Sequence, residues 1–235
     1  MSRHALRGLA ACVVATLVTA VGAQAPAPDQ RSEAAATTPA LTVLGEDRFM
    51  VGRIVVDQRS RSFVVPGRVN VLDKPLESLA TAPGGFKAYE AALELDTTGN
   101  AMNLACILIG LERDPALNPF HKGGKGSLSG PRVTLTLSWS QDGRQVEMSA
   151  ADAVSGGVPA SAVEWVYTGS PVSQARPYFA AQQTGSLVGF VHDPATLIEA
   201  VDGIGIGAYG TIRGNPVLPP AGTAIELKVA AQARR

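Results

Sequence analysis

The 235-residue chain carries 20 basic and 20 acidic side chains, three histidines and two cysteines, with 46% hydrophobic residues. Balanced charge provides no field to steer a phosphate backbone, which argues against nucleic acid as a partner. Two cysteines cannot build a disulfide framework. In chain order, Arg3 and Arg7 precede an apolar run from Leu9 to Val21. At about 13 residues this run is too short to span a bilayer, which needs roughly 20. It reads as the core of a cleavable signal peptide over residues 1–23, with Val21 and Ala23 suited to a cut before Gln24. Leu9-Ala10-Ala11-Cys12 resembles a lipoprotein box, but the apolar run follows the cysteine instead of preceding it. Cleavage removes Arg3, Arg7, His4 and Cys12, leaving 18 basic against 20 acidic groups, two histidines and the single Cys106. The mature chain is then periplasmic or extracellular, touching membrane only through its leader, and has no internal disulfide.

Residues 24–40 (QAPAPDQRSEAAATTPA) lack apolar periodicity and read as a flexible Ala/Pro-rich linker. A single domain over 41–232 follows, β-rich α+β with mostly antiparallel strands, one medium helix and one short helix. VGRIVVD (51–57) and SFVVPG (62–67) are predicted strands flanking a polar turn, and AALEL (91–95) is another. The first helix is expected over about Thr98 to Leu111. Its Met102, Ala105, Cys106 and Ile109 recur at i, i+3, i+4, i+7, and Gly110 acts as terminator. RVTLTLSW (132–139) alternates strictly, placing Val133, Leu135, Leu137 and Trp139 on one face. Asp142-Gly143 then separates it from a second run, the signature of a hairpin turn. Further strands are expected at 162–169, 186–193, 203–209 and 223–230. A second, short helix is expected from the Asp193 cap and Pro194 through ATLIEAV to Gly203.

Several motifs dissolve on inspection. Gly205-Ile206-Gly207-Ala208-Tyr209-Gly210 matches G-x-G-x-x-G, but the following TIRGNPVLPP cannot form the helix that would hold a pyrophosphate. The glycine-rich stretch from His121 to Ser127 lacks phosphate-loop spacing, and Pro131 stands where its helix should run. Cys106 lies on the apolar face of a helix, the setting of an inert thiol. Two histidines without H-x-H, HExxH or CxxC spacing give no metal site, and no cofactor is expected. The polar stretch with most chemical content is Pro83–Glu90. Its glycines allow close backbone approach, and Lys87, Tyr89 and Glu90 together suit a small polar ligand or the ion pair of a surface turn.

Six stretches, among them VNVLDKPLESLATAPGGFKAYEAALELD, AMNLACILIGLE, GPRVTLTLSW and SLVGFVHDPATLIE, fall in the order found in YdjY-domain proteins. The chain resembles that family over roughly residues 50 to 230. The resemblance implies an exported bacterial protein and assigns no activity. Lys87 and Glu90 match the family pattern, whereas Tyr89 and Asn103 stand where members often carry histidine. That departure argues against a metal or proton-transfer role.

The resulting expectation is a non-enzymatic extracytoplasmic module that binds an envelope partner or small polar ligand. Its candidate ligand-binding residues are Lys87, Tyr89, Glu90, Asn103 and His192. The alternative is a hydrolase-like envelope enzyme using Glu90 with Lys87, Asn103 or His192.

Overall fold

Among the described residues fourteen strand pairings organise the fold, and twelve of them are antiparallel. The structure, a computed structural model, describes residues 38–117, 126–156, 163–173, 178–203 and 211–233. The expected leader at 1–23, the linker as far as residue 37, His121 and the glycine motif at 205–210 lie outside the described residues, as does most of the strand expected at 203–209.

The first three strands, β1 (Leu41–Gly45), β2 (Arg48–Val51) and β3 (Ile54–Asp57), form a meander that leads into β4 (Ser62–Val69). The strand predicted over 51–57 is therefore two, broken where Gly52 turns the chain at φ 59°. Next come β5 (Ser78–Thr81), β6 (Ala91–Leu95) and helix α1 (Gly99–Leu108). After α1 lie β7 (Arg132–Gln141), β8 (Arg144–Ser149), β9 (Val154–Ser155) and β10 (Trp165–Tyr167). Two short strands, β11 (Val172–Ser173) and β12 (Tyr178–Phe179), precede helix α2 (Ala180–Thr184). The chain finishes with β13 (Ser186–Gly189), β14 (Ile198–Ala200), β15 (Arg213–Gly214) and β16 (Ala224–Ala231).

Eight of these strands close into a mixed barrel in the order β4–β16–β7–β10–β14–β13–β5–β6 and back to β4. Closure is a specific event at β4. Its first half pairs with β3 (Val64 with Val55, Phe63 with Val56), and its second half turns to β6, with Gly67 opposite Leu95 and Arg68 opposite Glu94. Pro66 and Gly67 stand at that change of neighbour, where a strand must bend and where these two residues are tolerated. Arg68 and Glu94 form an ion pair directly across the seam.

The predicted hairpin forms as β7 and β8, with Asp142 and Gly143 both at positive φ (51° and 75°), as a type I′ turn requires. Val133, Leu135, Leu137 and Trp139 are buried on one face of β7. Helix α1 begins at Thr98, whose side chain accepts from the Ala101 amide, and Gly110 follows it in the left-handed conformation at φ 79°. Its face of Met102, Ala105, Cys106 and Ile109 is buried in the main core.

Most pairings are antiparallel, as expected, and the parallel pairs β5–β6 and β13–β14 make the sheet mixed. One expectation needs correction. The short helix predicted after Asp193 does not form. Asp193 does cap a turn, accepting from the Ala195 amide at 2.9 Å, but the chain then extends into β14. The reason is nonlocal: β14 pairs on both sides, with β10 and with β13, and its three residues are fully covered. Two ladders satisfy its backbone better than one short helical turn. The second helix is instead α2, whose N-cap residue Phe179 offers no capping side chain and whose Ala181 amide donates to the distant Ser170 hydroxyl at 3.0 Å. No helix among the described residues is long and apolar enough to cross a membrane.

Candidate functional site

The turn that carries three of the five candidate residues is built by close backbone packing. Gly84 takes φ 68°, and a Cβ on Gly85 would sit 3.1–3.2 Å from Thr81, the Ala82 carbonyl and the Gly185 carbonyl. The Phe86 amide donates to the Thr184 carbonyl at 2.8 Å, which ties the turn to the end of α2. A single 3-10 turn, Ala88–Glu90, then leads into β6.

The parallel register of β5 and β6 sets Ser78 opposite Ala91, so the residues just before them, Glu77 and Glu90, become neighbours. The Glu77 amide donates to the Glu90 carbonyl at 3.0 Å. The Glu77 carbonyl in turn accepts from the amides of Phe190 and Val191, which brings up the 190–193 segment. Three chain segments thus deliver carboxylates to one lysine. Lys87 Nζ lies 2.7 Å from Glu77 Oε2, 3.6 Å from Asp193 Oδ2 and 3.9 Å from Glu90 Oε1. Behind them the fully buried Glu199 accepts from the Asp193 amide at 2.8 Å.

The electrostatics follow from this geometry. Burial alone would lower the Lys87 pKa, but the hydrogen bond and charge of Glu77, with Asp193 and Glu90 beyond, hold it above the ordinary lysine value. Burial, then the neighbouring Glu77 charge, push the Glu90 carboxyl up. The negative charge of Glu90 in turn raises the phenol of Tyr89, which stands in solvent.

A carboxyl with a raised folded pKa holds its proton more tightly when folded. Its stabilising contribution is therefore gained as pH falls toward the ordinary glutamate value of 4.5 and is lost as pH rises through the folded pKa. Glu90→Gln is thus expected to be at least as stable as the parent at neutral pH, with the two converging near 4.5. Urea unfolding across that range checks it, and a variant less stable than the parent at neutral pH contradicts the assigned direction.

The remaining two candidates are engaged elsewhere. Asn103, on α1, accepts from the Tyr167 hydroxyl at 2.6 Å. His192 is 2% exposed, its Nε2 lying 3.0 Å from the Ala200 carbonyl and 3.2 Å from that of Val201. Lys87, Tyr89 and Glu90 come together; Glu77, Asp193 and Glu199 are the members that sequence reasoning missed. Asp193 has a sufficient explanation as a cap, and nothing in the sequence marks Glu77 as a neighbour of Glu90 until the β5–β6 pairing is known.

Glu90 does not stand in open solvent: it is 6% exposed. A cavity of about 740 Å³ adjoins the turn, lined by Gly84, Gly85 and Phe86 together with Arg53, Asp96 and Gln182, and Lys87 and Glu90 are not among its walls. What faces outward is aromatic, with Phe86 59% and Tyr89 65% exposed. Cys106 is fully buried, and its thiol is pushed far up by that burial. Among the described residues no three His, Cys, Asp or Glu side chains are arranged to hold a metal ion. No protein-family model, curated protein or solved structure matches the chain.

Proposed function

We propose that this chain is an exported, non-enzymatic binding module of the YdjY-domain type that meets an envelope partner or a small polar ligand through the Gly84–Glu90 turn. The observation that carries this reading is the pair of exposed aromatics, Phe86 and Tyr89, on a turn tied down from beneath. Aromatic side chains bury much area for little lost entropy and dominate binding hot spots. Here the Gly85 packing and the Lys87 ion network hold the backbone that presents them. With three carboxylates around one ammonium the turn is net negative, so a partner offering a cationic group beside an apolar surface is the best match.

Lys87 is held protonated by its carboxylates, which makes it a poor nucleophile. One observation favours the hydrolase alternative: the raised carboxyl of Glu90 is what a general acid requires. Its cover, and the commitment of Asn103 and His192 to other partners, weigh against that reading.

The test is a photoreactive phenylalanine analogue placed at Tyr89 in the living source organism. A discrete adduct is expected there and not from the same group at Leu44, another exposed apolar position. Identical adducts at both positions, or none at Tyr89, would overturn the binding reading. Hydrolysis of chromogenic ester, peptide or glycoside probes that disappears in Glu90→Gln would establish the enzyme instead.

A further inference from the structure

A second constellation lies where β4 begins, β16 ends and β7 begins. The Ala231 amide donates to the Arg61 carbonyl at 2.9 Å, and the next amide, that of Gln232, donates to the Arg132 carbonyl at 3.0 Å. The end of β16 therefore holds Arg61 and Arg132 on its two flanks. Arg113 arrives from the segment after α1, and all three line one open cavity of about 670 Å³. That is within the roughly 300–1,000 Å³ typical of small-molecule sites.

Each guanidinium is oriented by backbone carbonyls. Arg61 donates through Nε to Ile109 at 3.2 Å and Nη2 to Gly110 at 3.5 Å. Arg113 donates through Nη2 to Leu117 at 2.8 Å, and Arg132 through Nη1 to Leu128 at 3.4 Å. A guanidinium has five N–H groups, so most remain for something else. Arg61 also sits at φ 50°, an uncommon conformation for a residue with a side chain. Capping the end of α1 accounts for Arg61, but it leaves Arg113 and Arg132 unexplained.

Among the described residues the three guanidiniums share one ion pair, Arg132 to Glu164 at 3.9 Å, and that carboxylate is 61% exposed. Such a pair contributes little and yields readily to a better partner. Asp114, beside Arg113, already accepts from Ser129 and the Ala116 amide. With Glu112, Asp114 and Glu164 also on its walls the cavity is not net positive. Recognition of an anion there would rest on oriented fork geometry, not on a long-range field.

We propose that this cavity binds a small ligand through a carboxylate or phosphoryl group held by Arg61, Arg113 and Arg132. The site is separate from the Gly84–Glu90 turn and stands or falls independently of the reading given to that turn.

The test follows the arginine Nε–H resonances of the full chain during titration with inorganic phosphate and, separately, with succinate. Saturable shifts of Arg61, Arg113 and Arg132 with one shared Kd are expected for at least one probe. Response to phosphate alone assigns a phosphoryl ligand and response to succinate alone a carboxylate, both supporting the site. Arg113→Lys, which keeps the charge and loses the fork, should weaken binding by at least about tenfold. Arg59→Gln, at an exposed position paired with Asp47, should leave it unchanged. Should Arg113→Lys fail to fold, Arg132→Lys replaces it with the same expected loss. Unsaturated shifts, equal shifts at Arg53 and Arg59 marking an adventitious ion only, or unchanged affinity in a folded lysine variant would overturn the proposal.

Discussion

Gly67→Ala is expected to destabilise the barrel by about 3 kcal/mol, the upper end of the cost of forcing atoms into a packed site. For a domain of this size that corresponds to a fall in Tm of roughly 6–12 °C. A Cβ at Gly67 would press on the Glu94 carbonyl oxygen and lie 2.9 Å from Leu95 Cα. Both obstacles are backbone of β6, the strand that closes the barrel onto β4, so no side-chain rotation relieves them. Relief requires the two strands to part, which strains the Gly67–Leu95 pairing and the Arg68–Glu94 ion pair beside it. Gly45 is the control: a Cβ there meets nothing within 4 Å, and alanine should change stability by less than about 0.5 kcal/mol. Thermal unfolding of both variants decides the matter. An unchanged Tm for Gly67→Ala would mean that β4 and β6 do not close as described.

Lys87→Met is the second substitution with a large expected effect. It removes the only cation within ion-pair reach of Glu77, Glu90 and Asp193 among the described residues. Breaking a fully buried ion pair costs roughly 3–5 kcal/mol because the orphaned charge stays behind. Lys87 is about a quarter exposed at its side chain, so water screens part of that, and about 2 kcal/mol is the expected loss at neutral pH. The sign of the acid-side pH dependence is fixed by Glu90, whose carboxyl is raised by burial and by the Glu77 charge. As Glu90 protonates on acidification its repulsion with the neighbouring carboxylates vanishes, so the deficit of Lys87→Met must shrink as pH falls toward the ordinary glutamate value of 4.5. On the alkaline side, the raised pKa of Lys87 gives the parent a contribution that is complete below the ordinary lysine value and lost as pH rises through the folded one. Adding Glu77→Gln to Lys87→Met should recover part of the loss, as a coupled pair requires. Lys87→Met with full stability at neutral pH would show that the lysine is not structural and leave it available to a ligand.

These two residues mark the boundary between what is local and what is not. Strict alternation in β7, the Asp142-Gly143 turn, and the spacing, cap and terminal glycine of α1 are properties of contiguous residues, and each is legible in the sequence itself. A pattern of period two or 3.6 needs only one apolar environment to settle its element. The helix expected after Asp193 fails for the complementary reason. Its cap chemistry is present, but the ladders of β10 and β13 claim Ile198–Ala200, and no local signal announces two distant strands.

The candidate residues divide in the same way. The Gly84–Glu90 turn, with its lysine, tyrosine and glutamate, is legible because glycines and charges are adjacent there. Asn103 joins it through the family resemblance and His192 on residue type, and folding gives them Tyr167 and the Ala200 carbonyl as partners instead. Closure of the barrel at Gly67, the Glu77–Glu90 juxtaposition and the gathering of Arg61, Arg113 and Arg132 each join residues from separate strands or loops. Such contacts depend on register and strand order, which are set by how well the whole core packs and not by the chemistry of neighbouring residues.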